Sequence, residues 1–244
     1  MNHILTIAAS DNSGGAGVQK DIMVAHDLGY HALSAITGIT VQNFTEVFEV
    51  VPVKATLLQR QIEACCQSFP IKAVKIGAIC SAENIKAIAR SLSQYGYRHV
   101  VLDTVIASTS GRTFLDADSL EILKNELFPL AEIITPNKPE FEILTCCTFS
   151  TLEEGIDIAK EYVKQWNTSI LLKGGHFNDA TIKEAIVTKD IVYRFERERQ
   201  QFTNSHGTGC TLSSALACNL GHDVPLQEAY TCASEYLARL YQSY

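Results

Sequence analysis

At 244 residues and 46% hydrophobic content, the chain is long enough to bury a core as one large α/β domain or two small ones. A formal net charge of −7, with only 20 Lys plus Arg and no basic run, argues against nucleic acid as a partner; nucleotides stay open, because single lysines and backbone amides can hold them. No apolar stretch approaches the ~18 residues of a membrane span, the N-terminal run lacks a positive leader, and the eight cysteines read as reduced thiols, mostly core filler, so a soluble, cytoplasmic protein without a membrane partner is expected.

A strand over residues 3–9 opens the chain, and the turn behind it, S-D-N-S-G-G-A-G, carries Asp11 and three glycines before a helix begins. Its position suits a dinucleotide fingerprint but its spacing does not, since G-x-G-x-x-G is absent and no acidic residue follows at the expected distance. Asp11 reads either as a helix cap or as a carboxylate for substrate. Further strands are expected over residues 32–37, 73–76, 99–103, 132–135, 169–173 and 184–187, with helices over 53–67, 82–95, 117–127, 152–165 and 226–241. This alternation, without a linker or internal repeat, implies an α/β fold in which a mainly parallel central sheet carries helices on both faces, as a single domain over residues 1–244. Ligands of such sheets bind beyond the carboxyl ends of the strands, and Asp11, Gly77, Asp103, Asn137, Lys173 and Gly174 all stand there.

Asp103 in V-L-D-T-V and Glu140 in T-P-N-K-P-E offer hard carboxylate oxygens that suit Mg²⁺ beside nucleotide phosphates, with a helix-start role as the alternative for Glu140. Lys173, in K-G-G-H after an apolar strand, can reach phosphate oxygens or serve as a surface charge. Near the C-terminus, N-S-H-G-T-G-C (residues 204–210, opening on Asn204) precedes a small-residue helix. Two glycines there let N–H groups converge on an anion, backed by roughly half a positive charge from the helix dipole. Taken alone, the same turn is also an ordinary loop. Cys210, at the helix start, is expected to have its thiol pKa lowered below the usual ~8.5, which suits a proton acceptor or a nucleophile.

Taken in order, S-D-x-S-G-G-A-G, V-Q-N, K-I-G, T-P-N-x-P-E, K-G-G-H and N-x-H-G-T-G-C resemble, over nearly the whole chain, the hydroxymethylpyrimidine and phosphomethylpyrimidine kinases of thiamine biosynthesis, within the ribokinase-like superfamily. The resemblance implies a ribokinase-like three-layer α/β/α fold. It also implies ATP-dependent phosphorylation of 4-amino-5-hydroxymethyl-2-methylpyrimidine and then of its monophosphate, with ATP and Mg²⁺, commonly in a homodimer. In the roles so implied, Asp11 and Gln42 bind the pyrimidine beside a wall at Gly77 and Ala78, and Cys210 takes the proton of the attacking hydroxyl. Amides of Gly207, Thr208, Gly209 and Cys210 stabilise the transferring phosphoryl group, Asp103 and Glu140 position Mg²⁺, and Asn137 and Lys173 contact nucleotide phosphates. The chain departs from the family pattern at Ala78, where a methionine is usual, at Thr104 in place of proline, and at Ser234, where the last helix often has lysine. Ala78 keeps a pyridoxal or pyridoxine kinase as the alternative. A non-catalytic vitamin-binding relative is the reading from another class, and the retained anion turn and Cys210 oppose it.

Overall fold

The computed structural model describes residues 2–108, 111–175, 181–199 and 206–242. Nine strands form one sheet in the order β3-β2-β1-β4-β5-β6-β7-β8-β9. They are β1 (Asn2–Ser10), β2 (Tyr30–Gln42), β3 (Val47–Pro52), β4 (Ile71–Ile76), β5 (Val100–Leu102), β6 (Ile133–Ile134), β7 (Ser169–Leu172), β8 (Thr181–Val187) and β9 (Val192–Glu198). The central run from β2 to β7 is parallel, while β3 at one edge and β8 and β9 at the other pair antiparallel. The expected three-layer α/β/α arrangement is therefore present, with antiparallel margins.

Period-2 alternation sorts the strand residues into two cores. Leu5, Ile7, Val74, Ile76, Ile170 and Leu172 face one layer, built from α2 (Ala55–Ser68), α3 (Ala82–Tyr95), α4 (Ala117–Ile122), α5 (Lys138–Thr145) and α6 (Leu152–Trp166). Ile4, Ala73, Val101, Ile133 and Leu171 face the other, built from α1 (Gly17–Asp27), α7 (Thr208–Gly221) and α8 (Leu226–Gln242). Strands buried on both faces read as the continuous apolar runs that mark them in the sequence.

Local chemistry sets the helix ends. The Ser81 side chain accepts from the Asn84 amide to start α3, and Gly96 closes it in the left-handed conformation. Asn137 with Glu140, and Thr151 with Glu154, form capping boxes that start α5 and α6. The helix expected over 117–127 is α-helical to Ile122 and continues as a π-helical turn over Leu123–Leu127. Strands β3 and β9 lie outside the sequence expectations, and α5 entered them only through the helix-start alternative for Glu140. Of the cysteines, all free thiols, only Cys80 and Cys218 are fully buried and Cys146 is exposed, so core filling accounts for fewer of them than expected.

Candidate active site

An open cleft of about 700 Å³ runs across the carboxyl ends of the strands. It is lined by Asp11, Gln42, Ala78, Asp103, Asn137, Glu140, Lys173, Gly207, Thr208, Gly209 and Cys210. Gly77 and Gly174 of the sequence candidates are not part of that lining; a Cβ on Gly77 would lie 2.9 Å from Lys75 Nζ and 3.1 Å from Ala8 Cβ. Its place is behind the wall, making room for a buried lysine. Asn204 and His176, which belong to two of the motifs, lie outside the described residues.

The two glycine turns meet in the middle of the cleft. Gly207 is the N-cap of α7, at φ +80°, and the following residues, Thr208, Gly209 and Cys210, form the first helical turn. A Cβ on Gly207 would collide with the Gly15 carbonyl, and one on Gly15 with the His206 ring, so the backbones touch where no side chain fits. First-turn amides have no partner within the helix, and here they open on the cleft beside its dipole. Such a turn has the geometry to receive an anion.

Asp11 ties the turns together. Its Oδ1 accepts from the amide and hydroxyl of Ser13, at 2.8 and 2.7 Å. Its Oδ2 accepts from the Ala16 amide at 2.7 Å and stands 3.1 Å from His206 Nε2. Burial alone would raise this carboxyl, but hydrogen bonds from His206, Ser13 and Gln42 hold it well below the ordinary carboxylate range. The N-cap of α1 is Ala16 and has no side-chain cap, so Asp11 braces the turn rather than capping the helix. Gln42, at the end of β2, reaches Asp11 with its side chain, and its backbone N–H donates to Asn12 Oδ1 at 2.8 Å. Sequence reasoning does not single out His206, although it lies inside the motif.

At the other end Lys173 stands between two carboxylates, 3.1 Å from Asp103 Oδ1 and 4.0 Å from Glu140 Oε2. Lys173 is not a surface charge: its side chain is 14% exposed. Thr135 and Ser213 donate to Asp103 at 3.0 and 3.2 Å. Burial acts to raise Asp103, but Lys173 and Lys75 outweigh it and keep the carboxyl below its usual value. Glu140 goes the other way, pushed up by burial and by its neighbour Asp103 against the pull of Lys173. Glu140 Oε2 accepts from the Asn137 amide at 2.8 Å and from Thr104 Oγ1 at 3.2 Å. Glu140 therefore starts the helix while also lining the cleft, and Thr104 supplies a hydroxyl that proline could not. Asn137 spends Oδ1 on the Glu140 amide, at 2.9 Å, leaving its NH₂ for the cleft.

Among the described residues no group of three or more His, Cys, Asp or Glu is placed to hold a metal. Two carboxylates with hard oxygen donors do suit Mg²⁺, which keeps several waters and is usually held by one or two carboxylates plus phosphate oxygens. Glu140 Oε1 has no hydrogen bond among the described residues, and is the oxygen open to such an ion.

Cys210 requires a correction. Its thiol is not lowered by the helix start: burial pushes it up to about 11, with Lys75 and the Gly17 amide opposing the rise and Asp21 and Asp103 adding to it. The thiol is half-buried, one side against this packed polar layer and one on the cleft.

A model of the phosphomethylpyrimidine kinase family matches residues 11–243. The hydroxymethylpyrimidine/phosphomethylpyrimidine kinase of Rhizobium meliloti is 38% identical over 234 residues, covering 96% of this chain and 88% of that protein. A bifunctional thiamine biosynthesis protein, ThiED of Geobacter sulfurreducens, is 37% identical over 96% of this chain, which spans only 48% of that longer protein. Among solved structures, phosphomethylpyrimidine kinase from Clostridium difficile 630 superposes with a TM-score of 0.87 at 34% identity, covering 98% of this chain and 99% of that one. Bacillus subtilis pyridoxal kinase, in an ADP complex, superposes with a TM-score of 0.86 at 25% identity, over 96% of this chain and 89% of that one. With the ordered motifs gathered on one cleft and the family model running almost from end to end, the chain belongs to the phosphomethylpyrimidine kinase family.

Proposed function

We propose that this chain transfers the γ-phosphoryl group of ATP to the hydroxymethyl oxygen of 4-amino-5-hydroxymethyl-2-methylpyrimidine, and then a second phosphoryl group to the resulting monophosphate, in thiamine diphosphate biosynthesis. The observation that carries this reading is the order of groups along one cleft. A polar end at Asp11 and Gln42 meets the Gly207–Cys210 amides, which meet the Lys173, Asp103 and Glu140 end. Membership of a kinase family and a solved relative holding ADP support ATP as the donor.

In the first transfer the hydroxymethyl oxygen forms a bond to the γ-phosphorus, the bond from that phosphorus to the ADP oxygen breaks, and the hydroxyl proton passes to Cys210 Sγ. Catalysis is then positioning and charge stabilisation: the first-turn amides of α7 meet the charge on the phosphoryl oxygens, and Lys173 and the Asn137 NH₂ reach the nucleotide phosphates. Mg²⁺ held by Asp103 and Glu140 would neutralise phosphate charge when bound. Asp11 already accepts from Ser13, Ala16 and His206 and is reached by the Gln42 side chain, so the two residues act together in recognising the pyrimidine amino group and ring nitrogens.

A second reading, pyridoxal phosphorylation, is favoured by one observation: Ala78 lines the cleft with a single methyl group. Mass analysis of products from the pyrimidine, its monophosphate and pyridoxal decides between them, and a wide preference for pyridoxal would overturn the pyrimidine assignment. Cys210→Ala should abolish turnover while the fold and pyrimidine binding persist; full activity would remove the base assignment. Exposed Ile39, Val41 and Val51 share the outer face of the β2–β3 ribbon and supply an apolar surface for a homodimer, which light scattering of the purified protein tests. No helix among the described residues is long and apolar enough to cross a membrane.

A further inference from the structure

Helices α1 and α7 meet the sheet in two polar layers. Gly17 and Asp21 are four residues apart on α1, and Cys210 and Ser214 four apart on α7, so each pair shares one face of its helix. In the upper layer the Gly17 amide faces the Cys210 thiol. In the lower layer Ser214 Oγ donates to Asp21 Oδ1 at 2.8 Å, and Thr6 Oγ1 to Asp21 Oδ2 at 2.5 Å. Lys75 enters this lower layer from β4, with Nζ 2.7 and 2.8 Å from the two Asp21 oxygens. Lys75 is 1% exposed and Asp21 2%, yet Lys75 forms part of the cleft floor. Gly77 leaves the space its ammonium needs.

As a source of stability this arrangement is poor. A buried ion pair can be replaced by apolar side chains of similar volume at little or no loss, because desolvation of both charges offsets their attraction. On β4 the residue two positions before Lys75 on the same face, Ala73, is an ordinary apolar core residue. A lysine at that position demands a use for its charge, and the group directly above the pair is the thiol.

We propose that Lys75 is a positioning residue for phosphoryl transfer: its ammonium, anchored by Asp21, is a fixed cation beneath Cys210 that favours negative charge on the sulfur. The inference rests on the reading of Cys210 as the proton acceptor. The charged groups around the thiol are Lys75 from β4, Asp21 from α1, Asp103 beyond β5 and Lys173 beyond β7. Lys75 opposes the burial that holds the thiol protonated, while Asp21 and Asp103 reinforce it. The helix start of α7 and the Gly17 amide act with Lys75.

The test reads the sulfur itself, apart from turnover. Iodoacetamide labelling of the Cys210 peptide is followed by mass spectrometry near pH 8.5, without ATP or Mg²⁺, in the whole folded enzyme. Below the thiol's midpoint the labelling rate follows the thiolate fraction, so moving that midpoint by about one pH unit changes the rate about tenfold. Asp21→Asn removes the opposing anion and should speed labelling about threefold or more; Lys75→Met with Asp21→Asn removes both charges, leaves neither unpaired, and should slow it about threefold or more. Turnover should fall in the double variant, with the KM for ATP within about twofold, because the nucleotide contacts lie at the other end of the cleft. A purely structural pair would loosen packing in both variants and move labelling in one direction, or in neither; either result overturns the proposal. Should the double variant not fold, the sign of the Asp21→Asn change decides alone. Turnover surviving in Cys210→Ala would remove the base assignment while the labelling results still report whether Lys75 acts on the sulfur.

Discussion

Lys173→Met removes the cation that, among the described residues, stands against both Asp103 and Glu140. The three side chains are 14%, 3% and 12% exposed, so water can do little to screen the two carboxylates left behind. Removing one partner of a buried ion pair costs about 3–5 kcal/mol, since the other charge stays buried without compensation. For a chain of this length each kcal/mol is worth about 2–4 °C, so the melting temperature should fall by roughly 6–20 °C. The pH dependence has a definite sign. In the wild type Asp103 lies below its ordinary range, so its contribution is present above the unfolded pKa and is lost as pH falls through the folded one. In the variant burial and mutual repulsion push the carboxyls up, and a raised carboxyl destabilises the fold as pH rises. The deficit against wild type should therefore be larger near pH 8 than near pH 5, measured by thermal unfolding at both, with turnover lost throughout. A deficit below about 1 kcal/mol, equal at both pH values, would refute the claim that Lys173 holds this pair.

Gly207→Ala should cut turnover at least about tenfold, because its φ of +80° strains an L-residue and its new methyl meets the Gly15 carbonyl, separating the two turns; steady-state kinetics checks it, and wild-type rates would mean the turns need not touch. Glu184→Gln tests the loop that carries Lys173. Glu184 accepts from the Gly174 amide at 3.1 Å and from Tyr230 Oη at 2.5 Å, so the variant should lose about 1–3 kcal/mol and raise the KM for ATP more than it lowers kcat. The reverse split would place Glu184 at the chemistry instead. In ligand-free wild type, labelling of Cys210 should keep rising with pH beyond pH 9, since the thiol lies near 11; a plateau below pH 8 would contradict that placement.

Much of the fold was legible because buried parallel strands and amphipathic helices carry strong periodic signals. Apart from Lys75, residues 73–76 are apolar on both faces of the sheet, as are residues 170–172, and α3 begins and ends where its Ser81 and Gly96 say it should. The missed elements have physical reasons. β3 and β9 are edge strands with mixed exposure, and β9, V-Y-R-F-E-R-E, alternates charged residues that face solvent. α5 is eight residues long and opens on Lys-Pro, which reads as a turn until the Asn137–Glu140 capping box is seen. In the site, the strand-end candidates other than Gly77 and Gly174 line the cleft. The unforeseen participants act across the chain: Asp21, Lys75 and Ser214 come from three elements, and His206 meets an aspartate 195 residues away. One signal was available, since a lysine inside the apolar run A-V-K-I needs a buried counterion wherever that strand is central.

The reversal at Cys210 shows which magnitude decides. A helix N-terminus contributes about 0.3–1 kcal/mol to a nearby negative charge, less than the roughly 1.36 kcal/mol that moves a pKa by one. Burial of an ionisable group moves its pKa by up to about 3–5, and it is burial that prevails here. Position at a helix start thus fixes the direction of a small effect, whereas the packing against Gly17 and the Lys75–Asp21 layer fixes the large one, and only the latter needs the fold to be known. The consequence reaches the chemistry. A thiol near 11 is almost wholly protonated at neutral pH, so the proton-acceptor role proposed for it requires bound ligands to change its surroundings. Phosphate negative charge arriving at the α7 amides would raise the thiol further; Lys75, Lys173 and any bound Mg²⁺ are the cations able to counter it. In the proposed mechanism proton transfer therefore depends on the cations gathered around the phosphoryl group, and Cys210 labelling in the ligand-free enzyme reports the share that Lys75 contributes before the others arrive.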